Sequence, residues 1–261
     1  MSTLRSKVSA VVIAYNDEPN MRACLESLSW ADELIVVDNC STDATGLISR
    51  EFTDKVYRHE FHGFGRLRNT AVSYATQDWI FSLDTDERVT PELCEEILSL
   101  LRRGPDADAY HVPQRTYFMG RWIRHGGWYP DYRQPQLFRK DRMRYREDLV
   151  HEGFDLNGRL GYLKSDVLEF PFRDISHFIK KNHRYADLMA IRMMQKGRRF
   201  RPYQLVTHPC FSFVKMYVAR AGFLDGMPGL ILAGLYTYYT FIKYAKFWEL
   251  SREMTPRERP T

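Results

Sequence analysis

Asp84, Asp86 and Glu87 stand within four positions at the end of the apolar run Trp79-Ile80-Phe81-Ser82-Leu83. Two aspartates one residue apart hold a hard divalent cation through oxygen, and such an ion readily bridges nucleotide phosphates. An aromatic and branched run this short predicts a buried strand, and Thr90-Pro91-Glu92 supplies a cap and a proline for a following helix. The carboxylates then sit at the carboxyl end of a strand, where open α/β sheets take their ligands. Alone, Asp-x-Asp reads as well as a solvated acidic turn. The residues before it decide for a ligand site.

Val8 to Tyr15 reads as a buried central strand, and Asn16-Asp17-Glu18-Pro19 turns into a helix with Met21, Leu25 and Leu28 on one face. Glu33 to Asp38 is a second strand ending in an acid, and Ser41-Thr42-Asp43-Ala44-Thr45 caps another helix. Lys55 to Arg58 is a short third strand, Gly63-Phe64-Gly65 a flexible loop, and Arg66 to Ala75 a helix. Alternating strands and helices predict a parallel sheet with right-handed crossovers, so Asp38 and Asp84/Asp86 share one rim. An acid ending the second strand commonly binds a ribose or base edge. The first turn has neither G-x-G-x-x-G nor a Walker lysine. A metal on Asp86 is then the economical way to neutralise a diphosphate.

The chain has 261 residues, enough for one large α/β domain or a domain plus an appendage. Cys24, Cys40, Cys94 and Cys210 have no CxxC spacing, which argues against a zinc knuckle or a disulfide framework and fits a reducing compartment. Met1 to Lys7 is basic, but the apolar run after it meets Asp17 and Glu18 with no small-residue cleavage site, so it reads as a strand and not a signal peptide. The net charge of +5 is uneven: residues 1–100 hold 17 acids and 9 Lys/Arg, the remainder 16 acids and 29 Lys/Arg. An acidic metal-binding half and a basic half facing phosphate or anionic lipid follow. Charge alone would allow nucleic acid, but no nucleic-acid motif accompanies it, and none is expected as a partner.

Seven marks in order resemble family-2 glycosyltransferases of the GT-A fold, and within them the lipopolysaccharide-core β-1,4-glucosyltransferase group. They are Val12-Ile13-Ala14-Tyr15-Asn16, Val37-Asp38-Asn39-Cys40-Ser41-Thr42-Asp43-Ala44-Thr45, Gly63-Phe64-Gly65 with Asn69, and Asp84-Thr85-Asp86-Glu87. Gly127-Trp128-Tyr129-Pro130-Asp131, Val150-His151-Glu152 and Gly222-Phe223-Leu224-Asp225-Gly226 follow. The resemblance implies a GT-A (Rossmann-like) α/β fold, a mostly parallel sheet flanked by helices, with a C-terminal helical, membrane-associating extension. It implies that Asp38 contacts uracil or ribose, Asp84 ribose or diphosphate, and Asp86 a divalent metal, Mg²⁺ or Mn²⁺. Ala14, Tyr15, Asn16, Glu18, Arg66, Asn69 and Thr85 are the further nucleotide-sugar contacts expected. Cys40 and Ala44 stand where the family usually has glycine, and Leu67 where it often has glutamine.

An inverting transfer needs a carboxylate that takes the acceptor proton as the hydroxyl attacks. Glu152 is the first candidate, with Asp148 and Asp131 as rivals. His151 is a metal ligand, a phosphate donor or a structural histidine. Aromatic faces suit sugar rings, so Trp128 and Tyr129 are expected on the acceptor side, with filling a peripheral core as the equal alternative. Arg133, also expected on that side, and Arg139 read as a phosphate clamp or equally as exposed surface arginines. Lys180 to Arg201 carries eight Lys/Arg against Asp187, with Tyr185, Leu188, Met189, Arg192 and Met193 at helical spacing. It reads as a basic amphipathic helix for a membrane surface or a partner, or as a solvated basic face. Met227 to Ile242 is 16 uncharged residues, short of the roughly 20 that span a bilayer, and reads as an interfacial segment or as core.

The domains expected are 1–175, divided into a nucleotide-sugar half (1–104) and an acceptor half (105–175), a helical basic region (176–250) and a tail (251–261). The function expected is inverting transfer of a hexose, glucose first, from a UDP-linked donor to a lipid-linked glycan such as a lipopolysaccharide core. The expected location is the cytoplasm, peripheral to the inner face of the cytoplasmic membrane. Transfer to a polyprenyl phosphate, nucleotidyl transfer and a non-catalytic module on a degenerate scaffold are the rivals.

Overall fold

The computed structural model describes residues 5–147 and 153–253, so Asp148, His151 and Glu152 lie outside the described residues. The chain forms two compact units, one of Met1–Arg115 and Pro130–Phe170, the other of Thr116–Tyr129 and Pro171–Thr261. The sequence placed 116–129 in the acceptor half; in the structure this segment packs with the C-terminal helices.

The first unit opens as strand and helix in turn: β1 (Val8–Ala14), α1 (Glu18–Glu26), β2 (Glu33–Asp38), α2 (Thr45–Arg50), β3 (Val56–Arg58), α3 (Phe64–Tyr74) and β4 (Trp79–Asp84). β5 (Glu87–Val89), α4 (Pro91–Arg103), β6 (Ala109–His111) and β7 (Gln114–Phe118) follow. Thr90 caps α4 as its sequence requires, its hydroxyl accepting from the Leu93 N–H at 3.1 Å, with Pro91 in the first turn. After β8 (Arg121–Trp122) come β9 (Leu137–Arg139), β10 (Met143–Tyr145), β11 (Phe154–Leu156), β12 (Leu160–Tyr162) and β13 (Val167–Glu169).

Seven strands make the main sheet, in the order β12-β6-β9-β4-β1-β2-β3. β1 runs parallel to β2 and β4, and β2 to β3. Only β9 opposes its neighbours, β4 and β6. β1 is buried along almost its whole length, as a central strand with helices on both faces must be. Alternate residues sort the core: Val8, Ala10 and Val12 meet Met21, Leu25, Leu93 and Ile97 of α1 and α4 on one face. Val11, Ile35 and Val37 meet Leu67 and Ala71 of α3 on the other.

The second unit holds the β7–β8 hairpin, α5 (Ile175–Gln195), α6 (Gln204–Phe213), a π-helical turn (Val214–Ala219), a 3₁₀ turn (Gly222–Asp225) and α7 (Gly226–Glu253). The basic helix expected over 180–201 begins earlier, where Asp174 accepts from the His177 N–H at 2.7 Å, and ends at Gln195. Its buried stripe is Phe178, Asn182, Ala186, Ala190 and Met193, so only Met193 of the expected apolar set is fully inside. Small residues lie inward because α7 packs on this face of α5, and close helix packing selects them. The apolar run 227–242 is part of the 28-residue α7, and Leu232 and Ala233 are core. No single described helix is long and apolar enough to cross a membrane.

Candidate active site

The rim follows from strand register. Asp38 pairs with Ala14, and Asp84 with Ile13, so both acids end on the same edge, flanking β1. With strands about 4.8 Å apart, their backbones stand roughly 10 Å from each other. Tyr15, the first residue beyond β1, is 48% exposed at this edge.

The first two βα turns interlock across the rim. Asn16 has a positive φ and its side chain accepts from the Thr42 N–H at 2.8 Å, while its own N–H donates to the Ser41 hydroxyl at 2.9 Å. The Asp17 N–H donates to the Thr45 hydroxyl, and the Glu18 carboxylate accepts from the Ala44 N–H at 3.2 Å. Asp38 is buried and accepts from the Ser41 N–H at 3.0 Å. Asp38, Ser41, Asp43, Arg50 and Arg58 line a cleft of about 160 Å³ beside it.

The acidic turn is held from below and from both sides. Arg68 grips both oxygens of Asp84 at 2.7 and 2.9 Å, its guanidinium lying over the Tyr145 ring. The Thr85 hydroxyl donates to Asp17 at 2.6 Å, which ties this turn to the first one. Arg88 donates to the carbonyls of Thr85 and Glu87 and to that of Asn20. The Phe170 N–H donates to the Asp86 carbonyl at 2.8 Å. Glu87, 2% exposed, accepts from the Asp84 N–H and from the amides of Gln114 and Gln136 at 2.7–2.9 Å. Neutral donors alone hold it there, and Glu169 faces it directly across the β5–β13 pair. Burial first, then the charges of Asp84, Glu169 and Asp86, push its carboxyl well above the ordinary range. Cys24, buried beneath the same turn, has its thiol pushed up chiefly by burial.

This donor chemistry fits a divalent cation. Asp84 and Asp86 offer hard oxygens one residue apart in a locked turn. No cluster of three or more His, Cys, Asp or Glu in metal-binding position occurs among the described residues. Two carboxylates suit an ion that takes its remaining ligands from phosphates and water.

Other expected contacts have structural partners. The Asn69 amide bonds the Tyr145 backbone at both ends, at 2.8 and 3.0 Å, fastening α3 to β10. A Cβ on Gly65 would lie 1.9 Å from the Arg146 carbonyl oxygen, so only glycine lets α3 abut the neck of the β10–β11 hairpin. Arg66 is exposed. Arg133 pairs with Glu169 at 2.7 and 3.2 Å and with Asp131 at 2.9 Å. Trp128, 9% exposed, packs edge-on to Tyr236 in the core of the second unit, and Tyr129 packs against Trp122.

Arg68 was not anticipated from the sequence. Its signal is position: one residue past buried Leu67 and three before buried Ala71, it borders the apolar face of α3. A charge there requires a partner.

Residues 9–165 match the family model for Glycosyl transferase family 2. The chain belongs to this family. It is 28% identical over 253 residues to the lipopolysaccharide core biosynthesis glycosyltransferase LpsC of Rhizobium meliloti (strain 1021), covering 93% of this chain and 92% of that protein. An uncharacterized glycosyltransferase of Rickettsia bellii (strain RML369-C) is 24% identical over 268 residues, 98% of this chain and 91% of its own. The mannosyltransferase PcManGT from Pyrobaculum calidifontis, solved with GDP-Man and Mn²⁺, shares the fold at a TM-score of 0.53 and 16% identity, covering 97% and 89% of the two chains. The family-2 glycosyltransferase is thus a GT-A protein with a helical C-terminal extension.

Proposed function

We propose that this glycosyltransferase moves a hexose, glucose first, from a UDP-linked donor to a lipid-linked glycan of the lipopolysaccharide-core type, inverting the anomeric centre. The observation that carries the reading is the rim itself: Asp38 and the Asp84–Asp86 turn in register on either side of β1, with Arg68 fixed on Asp84. The name of the Rhizobium relative supports the lipopolysaccharide-core acceptor.

Asp38 and the cleft beside it take the base or ribose, and exposed Tyr15 covers the base. Asp86, with Asp84, holds Mg²⁺ or Mn²⁺, which when bound supplies charge stabilisation for the departing nucleoside diphosphate. Arg68 holds the Asp84 carboxylate in place through two hydrogen bonds. Glu152 takes the acceptor proton. Asp131 is the weaker candidate, because its carboxylate is already engaged by the Arg133 guanidinium at 2.9 Å.

Thermal unfolding with UDP, GDP, CMP or TDP, each with and without Mn²⁺, tests the donor class. A rise in Tm for UDP only when Mn²⁺ is present is expected. No rise with any nucleotide would overturn donor binding. Glu152→Gln should keep that Tm rise and lose transfer to a sugar hydroxyl. Full transfer by this variant would remove Glu152 from the base role.

A further inference from the structure

The bend between α6 and α7 presents apolar side chains that the described chain leaves uncovered. Val206, Phe211, Val218, Phe223, Leu224 and Met227 are each 50% exposed or more. Scattered single apolar residues are ordinary on a surface, but a contiguous set marks a contact.

The bend is rigidly built. A Cβ on Gly229 would lie 2.2 Å from the Gly222 carbonyl oxygen, and one on Gly222 2.6 Å from that of Met216, so the turns close on bare backbone. Asp225, 2% exposed, accepts from the N–H groups of Arg124 and His125 at 3.2 and 2.8 Å. The Gly126 N–H donates to the Arg220 carbonyl at 2.8 Å. Phe223 and Leu224 are therefore held outward on a fixed turn, and contact through them needs little further ordering.

Charge identifies the partner. From Leu188 to Trp248 the chain has nine Lys/Arg and a single acid, the buried Asp225. Lys215 and Arg220 are exposed within the apolar stretch, and exposed Arg198, Arg199 and Arg201 precede it. Exposed Asp187, paired with Lys246, and exposed Glu249 bound that stretch, and an apolar ridge flanked within it by cations matches the acyl boundary and phosphates of an anionic leaflet. The axis turns by 70° between Gln204–Ala219 and Gly222–Arg252, so the pair meets such a surface with its bend.

We propose that the α6–α7 bend is a one-leaflet docking element that buries Phe211, Val218, Phe223 and Leu224 in an anionic phospholipid surface, with Lys215 and Arg220 on its phosphates. The element serves the lipid-linked acceptor proposed above, and on that reading its biological purpose rests. The sequence suggests docking on 180–201 and 227–242; the proposal puts it on the bend between them.

Flotation of the full chain with phosphatidylcholine vesicles, with and without phosphatidylglycerol, tests this. Binding only to the phosphatidylglycerol vesicles, weakened by salt, is expected. Phe223→Ser with Leu224→Ser should weaken it by about tenfold or more while the Tm rise with UDP and Mn²⁺ persists. Lys215→Glu with Arg199→Glu, exposed changes that leave the apolar ridge intact, should abolish the preference for phosphatidylglycerol. No flotation, or equal flotation of wild type and both variants, would overturn the proposal. So would a concentration-dependent dimer that the Phe223/Leu224 variant dissolves, since a second copy would then own the surface. Flotation as expected, with no transfer to any glycan, would sink the acceptor reading and leave the docking element standing.

Discussion

Glu33, at the start of β2 in the main sheet, and Glu87, on β5 just beyond the end of β4, are both buried carboxylates, and their surroundings act on them in opposite directions. At the start of β2, Glu33 is met by the Lys55 ammonium, the Ser9 hydroxyl and both the N–H and the hydroxyl of Thr76. Burial would raise its pKa, but these bonds bring it down to about 2. On β5, Glu87 has only neutral donors of its own and three carboxylates nearby, and its pKa rises. The first region is neutralised for stability. The other crowds several carboxylates together, with Arg68 paired to Asp84 and Arg133 to Glu169, and leaves Glu87 to favour its protonated form.

The largest break of this contrast comes from Asp86→Ala. If the rim's carboxylates are there to hold a metal–diphosphate, kcat/KM should fall by on the order of a thousandfold or more, because metal stabilisation of the leaving group is lost. Steady-state kinetics with saturating Mn²⁺ would show it, and unchanged kinetics would make the acidic rim a mere solvated turn.

The two regions were unequally legible in the sequence. Asp38 and Asp84 could be placed because each closes a branched apolar run, and a buried parallel strand leaves no other place for an acid than its end. The Glu33 cluster could not, since Ser9, Lys55 and Thr76 come from three elements far apart in sequence. The three-residue strands β6 and β9 to β13 are too short for any periodicity to declare itself. Trp128 was ambiguous for a different reason: an aromatic beside glycines reads equally as a sugar platform or as core, and only the partner Tyr236 resolves it. On α5 the inward stripe is set by the helix it meets, which basic and apolar spacing alone does not declare.

The pH dependence of stability sharpens the contrast further. In the folded chain Glu33 stays ionised down to about 2, against an ordinary value of 4.5. Its contribution, roughly 3 kcal/mol, is complete above 4.5 and is lost as pH falls toward 2. Glu33→Gln should therefore destabilise by about that amount at neutral pH and flatten the acid limb in urea titrations. Glu87 has the opposite sign. Its folded form keeps the proton above 4.5, where the unfolded chain has released it, so stability declines as pH rises past 4.5 in metal-free protein. Glu87→Gln mimics the protonated acid and should remove that decline, and a decline as steep as wild type would assign it to another group.

The smallest effect is expected beside Asp38. Cys40 sits at φ +57, in the left-handed region that favours glycine. That conformation costs a residue with a Cβ about 1–2 kcal/mol, whereas glycine forfeits about 0.5–1 kcal/mol through its freer unfolded chain. Cys40→Gly should thus raise stability by no more than about 1 kcal/mol. Because the Asn39 N–H on the Ala14 carbonyl and the Ser41 N–H on Asp38 both belong to the backbone of this turn, nucleotide affinity should hold. Urea midpoints with and without UDP and Mn²⁺ would measure both. A loss of stability would mean that the thiol packs against the turn strongly enough to outweigh the strain, and a loss of affinity alone would mean that a side chain at this position stiffens the wall on which Asp38 meets its ligand.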